Sequence, residues 1–126
     1  TSAYTKAANQ LCEALIDEVV PITGDSAPEP TRARYLSNRA KLTPVYQAFD
    51  AKLDAIPVST AADKVADKAF DAYRAGLAAL DADLGVKVTE LSETDWAAEQ
   101  SKVLDAYFDS ATVQALRSSG IQCPAR

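Results

Sequence analysis

Residues 35–56 read YLSNRAKLTPVYQAFDAKLDAI, and in them Tyr35, Leu42, Tyr46, Phe49, Leu53 and Ile56 recur at intervals of 7, 4, 3, 4 and 3. Such intervals put every apolar residue on one stripe of an α-helix, the seam along which bundled helices pack. Pro44 interrupts the stretch. It has no N–H to donate, and its ring collides with the carbonyl four residues back. The helix is therefore expected to kink there, or to break briefly with Thr43 as N-cap and Pro44 at the first helical position. The seam keeps its register across the proline, which favours one element over two.

Three more helical segments follow from the same spacing, and no alternating strand pattern is present. Upstream, Tyr4, Ala8, Leu11, Leu15 and Val19 form a stripe with Cys12 and Ile16 beside it. Pro21 and the run Thr23-Gly24-Asp25-Ser26-Ala27-Pro28-Glu29-Pro30 end that helix and make the longest linker. Pro57 stops the second helix. Thr60-Ala61-Ala62-Asp63 then has the form of a capping box, with Asp in place of Glu. The third helix carries Val65, Ala69, Phe70, Tyr73, Leu77, Leu80 and Leu84, with Gly85 as a candidate left-handed terminator. Residues 86–91 read either as more helix or as a connector. Ser92-Glu93-Thr94-Asp95 opens a fourth helix, whose apolar face is Trp96, Val103, Tyr107, Phe108, Ala111, Ala115 and Leu116 and which Gly120 closes. The expected fold is all-α: one domain over residues 1–126, an antiparallel four-helix bundle with its second helix kinked or broken near Pro44.

Cys12 and Cys123 stand near opposite ends of the chain with no cysteine between them. A bond between them would staple the first element to the last and would mark an oxidising compartment. The alternative is a cytosolic protein with two unpaired structural thiols. In a bundle the bridge requires residues 117–123 to fold back along the helices, or the first helix to start late. The opening Thr1-Ser2-Ala3-Tyr4 suits a processed exported chain, or one freed of an upstream anchor.

Composition excludes more than it suggests. The 126 residues carry a formal net charge of −5, which opposes nucleic-acid binding. No run approaches the roughly 18 apolar residues of a membrane span. Histidine is absent, so no Ser-His-Asp or Cys-His arrangement and no His-ligated metal or haem can exist. The glycines are isolated and form no phosphate loop. The expected role is non-catalytic, without cofactor or metal.

Three constellations remain as candidate sites. Arg32, Arg34, Arg39 and Lys41 form a local reversal of charge in an acidic chain, suited to an anionic partner, a lipid headgroup or an envelope polymer. They read also as ordinary exposed cations near the N-terminal half of a helix. Tyr46, Phe49, Phe70, Tyr73, Tyr107 and Phe108 fall on inward stripes, where they could line a cavity for a small apolar molecule or simply pack. Asp63, Asp67 and Asp71 make a row at i, i+4 and i+8 that neighbouring Lys64, Lys68 and Arg74 would neutralise.

The ending Ala115-Leu116-Arg117-Ser118-Ser119-Gly120-Ile121-Gln122-Cys123, with Cys12 in the first helix, resembles a group of small Ala/Asp-rich exported actinobacterial helical domains. These finish with an Ala, a short gap, Gly, an aliphatic residue and Cys; they are often lipid-anchored and mostly of unknown function. The resemblance implies a disulfide-closed fold in the cell envelope or outside it, with any lipid anchor upstream of Thr1. It carries over no binding residue. The expected function is an extracytoplasmic binding or structural module for a protein or envelope component, or else a carrier of a small apolar ligand or lipid.

Overall fold

Five hydroxyl side chains start the helices. Ser2, Thr31, Thr60, Ser92 and Ser110 each hold extended backbone and accept a hydrogen bond from the amide three residues on, which satisfies a donor the first helical turn leaves open. The helices they begin are α1 (Ala3–Thr23), α2 (Arg32–Asp54), α3 (Ala61–Glu90), α4 (Glu93–Phe108) and α5 (Ala111–Ser118). The computed structural model describes residues 1–24 and 31–123, and among them there is no strand. Residues 25–30 of the expected linker lie outside the described residues.

The element count departs from the sequence expectation at one place. The single fourth helix is two, because the chain leaves helical geometry at Asp109 and Ser110. Ser110 adopts extended backbone, and its Oγ accepts from the Val113 amide at 3.4 Å. The break resets the register. Val113 and Leu116 become fully buried, while Ala111 and Ala115, expected inward, face solvent.

The expectation at Pro21 shifts as well, and the one at Pro44 resolves to a single element. α1 runs through Pro21 to Thr23, and α2 crosses Pro44 as one helix with no break. Pro44 deprives only the Ala40 carbonyl of a helical donor, and both residues are exposed, so water can serve that carbonyl. Gly85 does not terminate α3, which continues to Glu90. Val65 is 64 % exposed, and Ala66 takes the inward position in its place.

The capping box at the start of α3 does more than cap. Asp63 is buried, and its Oδ2 accepts from the Thr60 and Ser59 amides at 3.1 and 3.2 Å. Its Oδ1 accepts from the Tyr4 amide at 3.1 Å, a donor on the open first turn of α1. One carboxylate thus joins two helix N-termini, where the backbone dipoles favour negative charge. The bonds from Thr60, Tyr4 and Ser59 hold the Asp63 carboxyl far below the usual carboxylate range. A depressed folded value means the contribution is complete above the ordinary aspartate value of about 3.9 and is lost as pH falls toward the folded one. Asp63→Asn, which offers an amide to donors that need an acceptor, is expected to lower the melting temperature by several degrees at pH 7. The gap to the parent should hold constant down to about pH 4 and narrow below it. A melting series from pH 7 to 2.5 checks both.

Packing divides into two apolar clusters strung along α3, whose 30 residues span about 45 Å. The larger cluster includes Tyr4, Ala8 and Cys12 of α1, Phe49 and Leu53 of α2, Ala66, Phe70 and Tyr73 of α3, Val113 and Leu116 of α5, and then Ile121 and Cys123. The smaller joins Tyr35 of α2, Leu84 and Val88 of α3, and Trp96 of α4. After α5 the chain folds back along α1. Gly120, at φ 90°, makes the turn in a conformation that strains any other residue. Asn9 grips the returning segment from both sides: its Nδ2 donates to the Gly120 carbonyl at 3.1 Å, and its Oδ1 accepts from the Gln122 amide at 2.9 Å. Cys123 thereby reaches Cys12 and forms the disulfide, with Cα atoms 5.6 Å apart.

Candidate functional site

Two of the basic residues of α2, Arg32 and Arg39, find counter-charges within the chain. Arg32 pairs through Nε with Glu93 at 3.1 Å, and its guanidinium also donates to the Leu91 carbonyl. The same Glu93 accepts from the Arg32 amide at 2.9 Å, so it caps α2 as well. Arg34 donates to the Thr23 carbonyl at 2.9 Å, closing the C-terminal end of α1. Arg39 pairs with Asp81 at 3.0 Å, and Asp81 also accepts from the Tyr35 hydroxyl at 3.1 Å. Gly85 lies directly beneath the Arg39 guanidinium, where a Cβ would collide with it. Lys41 is exposed. The charge reversal in residues 32–41 is thus met in part by Asp81 of α3 and Glu93 of α4, while Asp83 and Glu99 pair with Lys87. Pairs this exposed contribute roughly 0–1 kcal/mol each. Their geometry nonetheless fixes where the guanidiniums sit.

A stripe of α2 stays open beside these pairs. Arg32, Leu36, Arg39, Thr43 and Tyr46 follow one another at intervals of 4, 3, 4 and 3, and so share a side of the helix. Leu36 is 46 % exposed and Tyr46 43 %. Tyr46 therefore does not line the interior with the other aromatic candidates. The remaining five meet ring to ring. Phe49 and Phe70 have centroids 6.1 Å apart, Phe70 and Tyr73 6.0 Å, Tyr73 and Tyr107 5.9 Å, and Tyr107 and Phe108 5.8 Å. These are packing distances for edge and tilted aromatic pairs. Tyr107 lies over Gly76, where a Cβ would stand 2.5 Å from its hydroxyl, and that hydroxyl donates to the Tyr73 carbonyl at 2.6 Å. Burial pushes the Tyr107 phenol upward.

Concavity among the described residues is slight. The pocket lined by Leu11, Ala14, Leu15, Glu18, Phe49 and Lys52 encloses about 20 Å³. Ligand pockets run to roughly 300–1,000 Å³.

The acidic row disperses into separate duties. Asp63 is the buried cap described above. Asp71 joins Asp50 and Asp54 of α2 around Arg74, at 2.7, 3.3 and 2.9 Å. Asp67 faces Tyr4, whose phenol is pushed up first by burial and then by that carboxylate. Among the described residues, no group of three or more Cys, Asp or Glu side chains is arranged to hold a metal ion. No described helix is long and apolar enough to cross a membrane. No family model, curated protein or solved structure matches the chain.

Sequence reasoning missed Asn9, Glu93, Asp81 and Gly76. Gly76 had left a trace, since an isolated glycine within a helical run marks a close approach. The other three look like ordinary surface polar residues until the chain is folded.

Proposed function

We propose that this chain is an exported, non-catalytic helical module of the cell envelope or extracellular space, and that it binds a partner protein along the open stripe of α2. In this reading the fold is an antiparallel four-segment bundle with α4 and α5 together as the fourth segment, and any lipid anchor precedes Thr1. The observation that carries the reading is the contrast between a filled interior and that stripe. The aromatic residues that would have walled a cavity pack on one another, whereas Leu36, between the guanidiniums of Arg32 and Arg39 that Glu93 and Asp81 hold in place, and Tyr46, two turns beyond Arg39, are both exposed. Half-exposed apolar side chains flanked by oriented arginines match the composition of protein interfaces, where aromatic residues and Arg are enriched. The disulfide supports the oxidising compartment.

Crosslinking in the host envelope, followed by mass spectrometry, tests this surface. Leu36→Asp combined with Tyr46→Asp should abolish the crosslinked partner while leaving the far-UV circular dichroism unchanged. Glu13→Lys with Asp17→Lys, on the exposed side of α1, should retain it. An unchanged partner in the α2 variant would remove the stripe from consideration.

A further inference from the structure

We infer that the partner on the open stripe of α2 is a second copy of this chain, set antiparallel across a two-fold axis; the inference rests on the reading of that stripe as a binding surface. Carried one step further, the stripe reads Arg32, Leu36, Arg39, Thr43, Tyr46 and Asp50, at intervals of 4, 3, 4, 3 and 4. From Arg32 to Asp50 the helix makes about five full turns, so the row stays straight over roughly 27 Å. Its intervals are the same in either direction. A two-fold contact is reciprocal: if one residue meets a second on the other copy, the second also meets the first. A surface therefore pairs with itself only when it complements its own reversal. A different partner protein imposes no such condition.

This row meets the condition. With the axis at the level of residue 41, Arg32 stands opposite Asp50 of the second copy, Leu36 opposite Tyr46, and Arg39 opposite Thr43, and each contact occurs twice. Cation meets carboxylate, aliphatic meets aromatic, and a guanidinium donor meets a hydroxyl acceptor. Other registers are worse. Moving the axis to residue 39 sets Arg39 against Arg39, and moving it to residue 43 sets Leu36 against Asp50. A parallel pairing sets every residue against itself, Arg32 and Arg39 included. Opposed like charges and a buried carboxylate thus select one arrangement over its neighbours. Within each chain Arg32 is paired with Glu93, and Asp50 with Arg74 at 3.3 Å. The contact between copies completes a row of alternating sign, from Glu93 through Arg32 to Asp50 and Arg74 of the second copy. On the outer side of the stripe lie Ala33, Ser37, Ala40, Pro44 and Gln47, all exposed and none charged, so no charged side chain holds a second helix away. Antiparallel helices also bring opposite ends of their dipoles together.

One helix face against its copy is a small interface of the transient class, so the dimer should be sparse at low micromolar concentration and fill toward the millimolar range. Sedimentation equilibrium of the intact, oxidised protein from about 10 µM to about 1 mM should show the average mass rising from 13.4 kDa toward twice that value. Asp50→Arg and Arg32→Glu, each alone, should weaken self-association at least about tenfold with circular dichroism unchanged. Mixed in equal amounts, the two variants should associate about as tightly as the parent, because the mixed dimer restores both ion pairs. A mass of 13.4 kDa at every concentration, or self-association that both variants retain, would overturn the second copy. A crosslinked species in the host that Leu36→Asp with Tyr46→Asp removes, at a mass other than twice the chain's, would overturn it too, while the stripe would stand as a surface for a different protein.

Discussion

Replacing Cys12 and Cys123 together with alanine is expected to lower the melting temperature by roughly 15–20 °C. The bridge spans 111 residues of sequence, and the loop-entropy relation gives about 4–5 kcal/mol for a closed loop of that length. For a domain of this size each kcal/mol moves the midpoint by about 4 °C. The bridge also joins the two chain ends within the larger cluster, where both cysteines are buried among Tyr4, Ala8 and Ile121. Its loss therefore releases a tail whose other ties are the two Asn9 hydrogen bonds and the side chain of Ile121. The scan should be run on oxidised parent, reduced parent and variant, with the last two falling together. A shift below a few degrees would mean that the tail is held by packing alone.

Phe70→Ala is expected to cost about 3–5 kcal/mol, the range for truncating a fully buried aromatic residue. Phe70 is 0 % exposed and touches rings on two sides, Phe49 from α2 and Tyr73 on its own helix. Its removal leaves a hole that helices pinned by a disulfide and by the Asp63 cap cannot close by sliding, so the cost should lie toward the upper end. Urea denaturation read by circular dichroism measures it. A loss below about 1.5 kcal/mol, the range for well-tolerated core swaps, would show that this core is loosely packed, and an internal cavity for an apolar ligand would regain its appeal.

Two of the five helix starts, at Thr60 and Ser92, were legible in the sequence because capping is local. Thr60 with Asp63, and Ser92 with Asp95, are three residues apart and read the same way unfolded or folded. The inward positions of Tyr4, Phe70 and Tyr73 were legible for a similar reason, since an apolar stripe needs only its own helix to declare itself, and the disulfide was legible because the chain has two cysteines to pair. The break at Asp109 and Ser110 was hidden. Tyr107, Phe108, Ala111 and Ala115 keep a helical spacing across it, and alanine is small enough to sit on either face. Val65 was misplaced for the opposite reason. A β-branched residue looks like core, but α3 rotates its stripe so that Ala66 faces α1 and α5.

The candidate site was half legible. Four cations without an acid among them are visible in any reading of residues 32–41. That Glu93 and Asp81 would be waiting for Arg32 and Arg39, from 61 and 42 residues away, depends on how α3 and α4 return alongside α2. Charge complementarity at such separation is a property of the fold. Arg32 and Arg39 thus meet their acids inside the fold, while Leu36 between them and Tyr46 beyond them stay exposed.

Native mass spectrometry on protein taken from its own host tests the disulfide closure and the filled interior at once. After thiol alkylation without reductant, the denatured mass should lie two hydrogens below that of the reduced chain and show no added alkyl group. The native mass should equal it, with nothing released on unfolding. Alkylated cysteines, or a small apolar molecule freed by denaturation, would contradict the account.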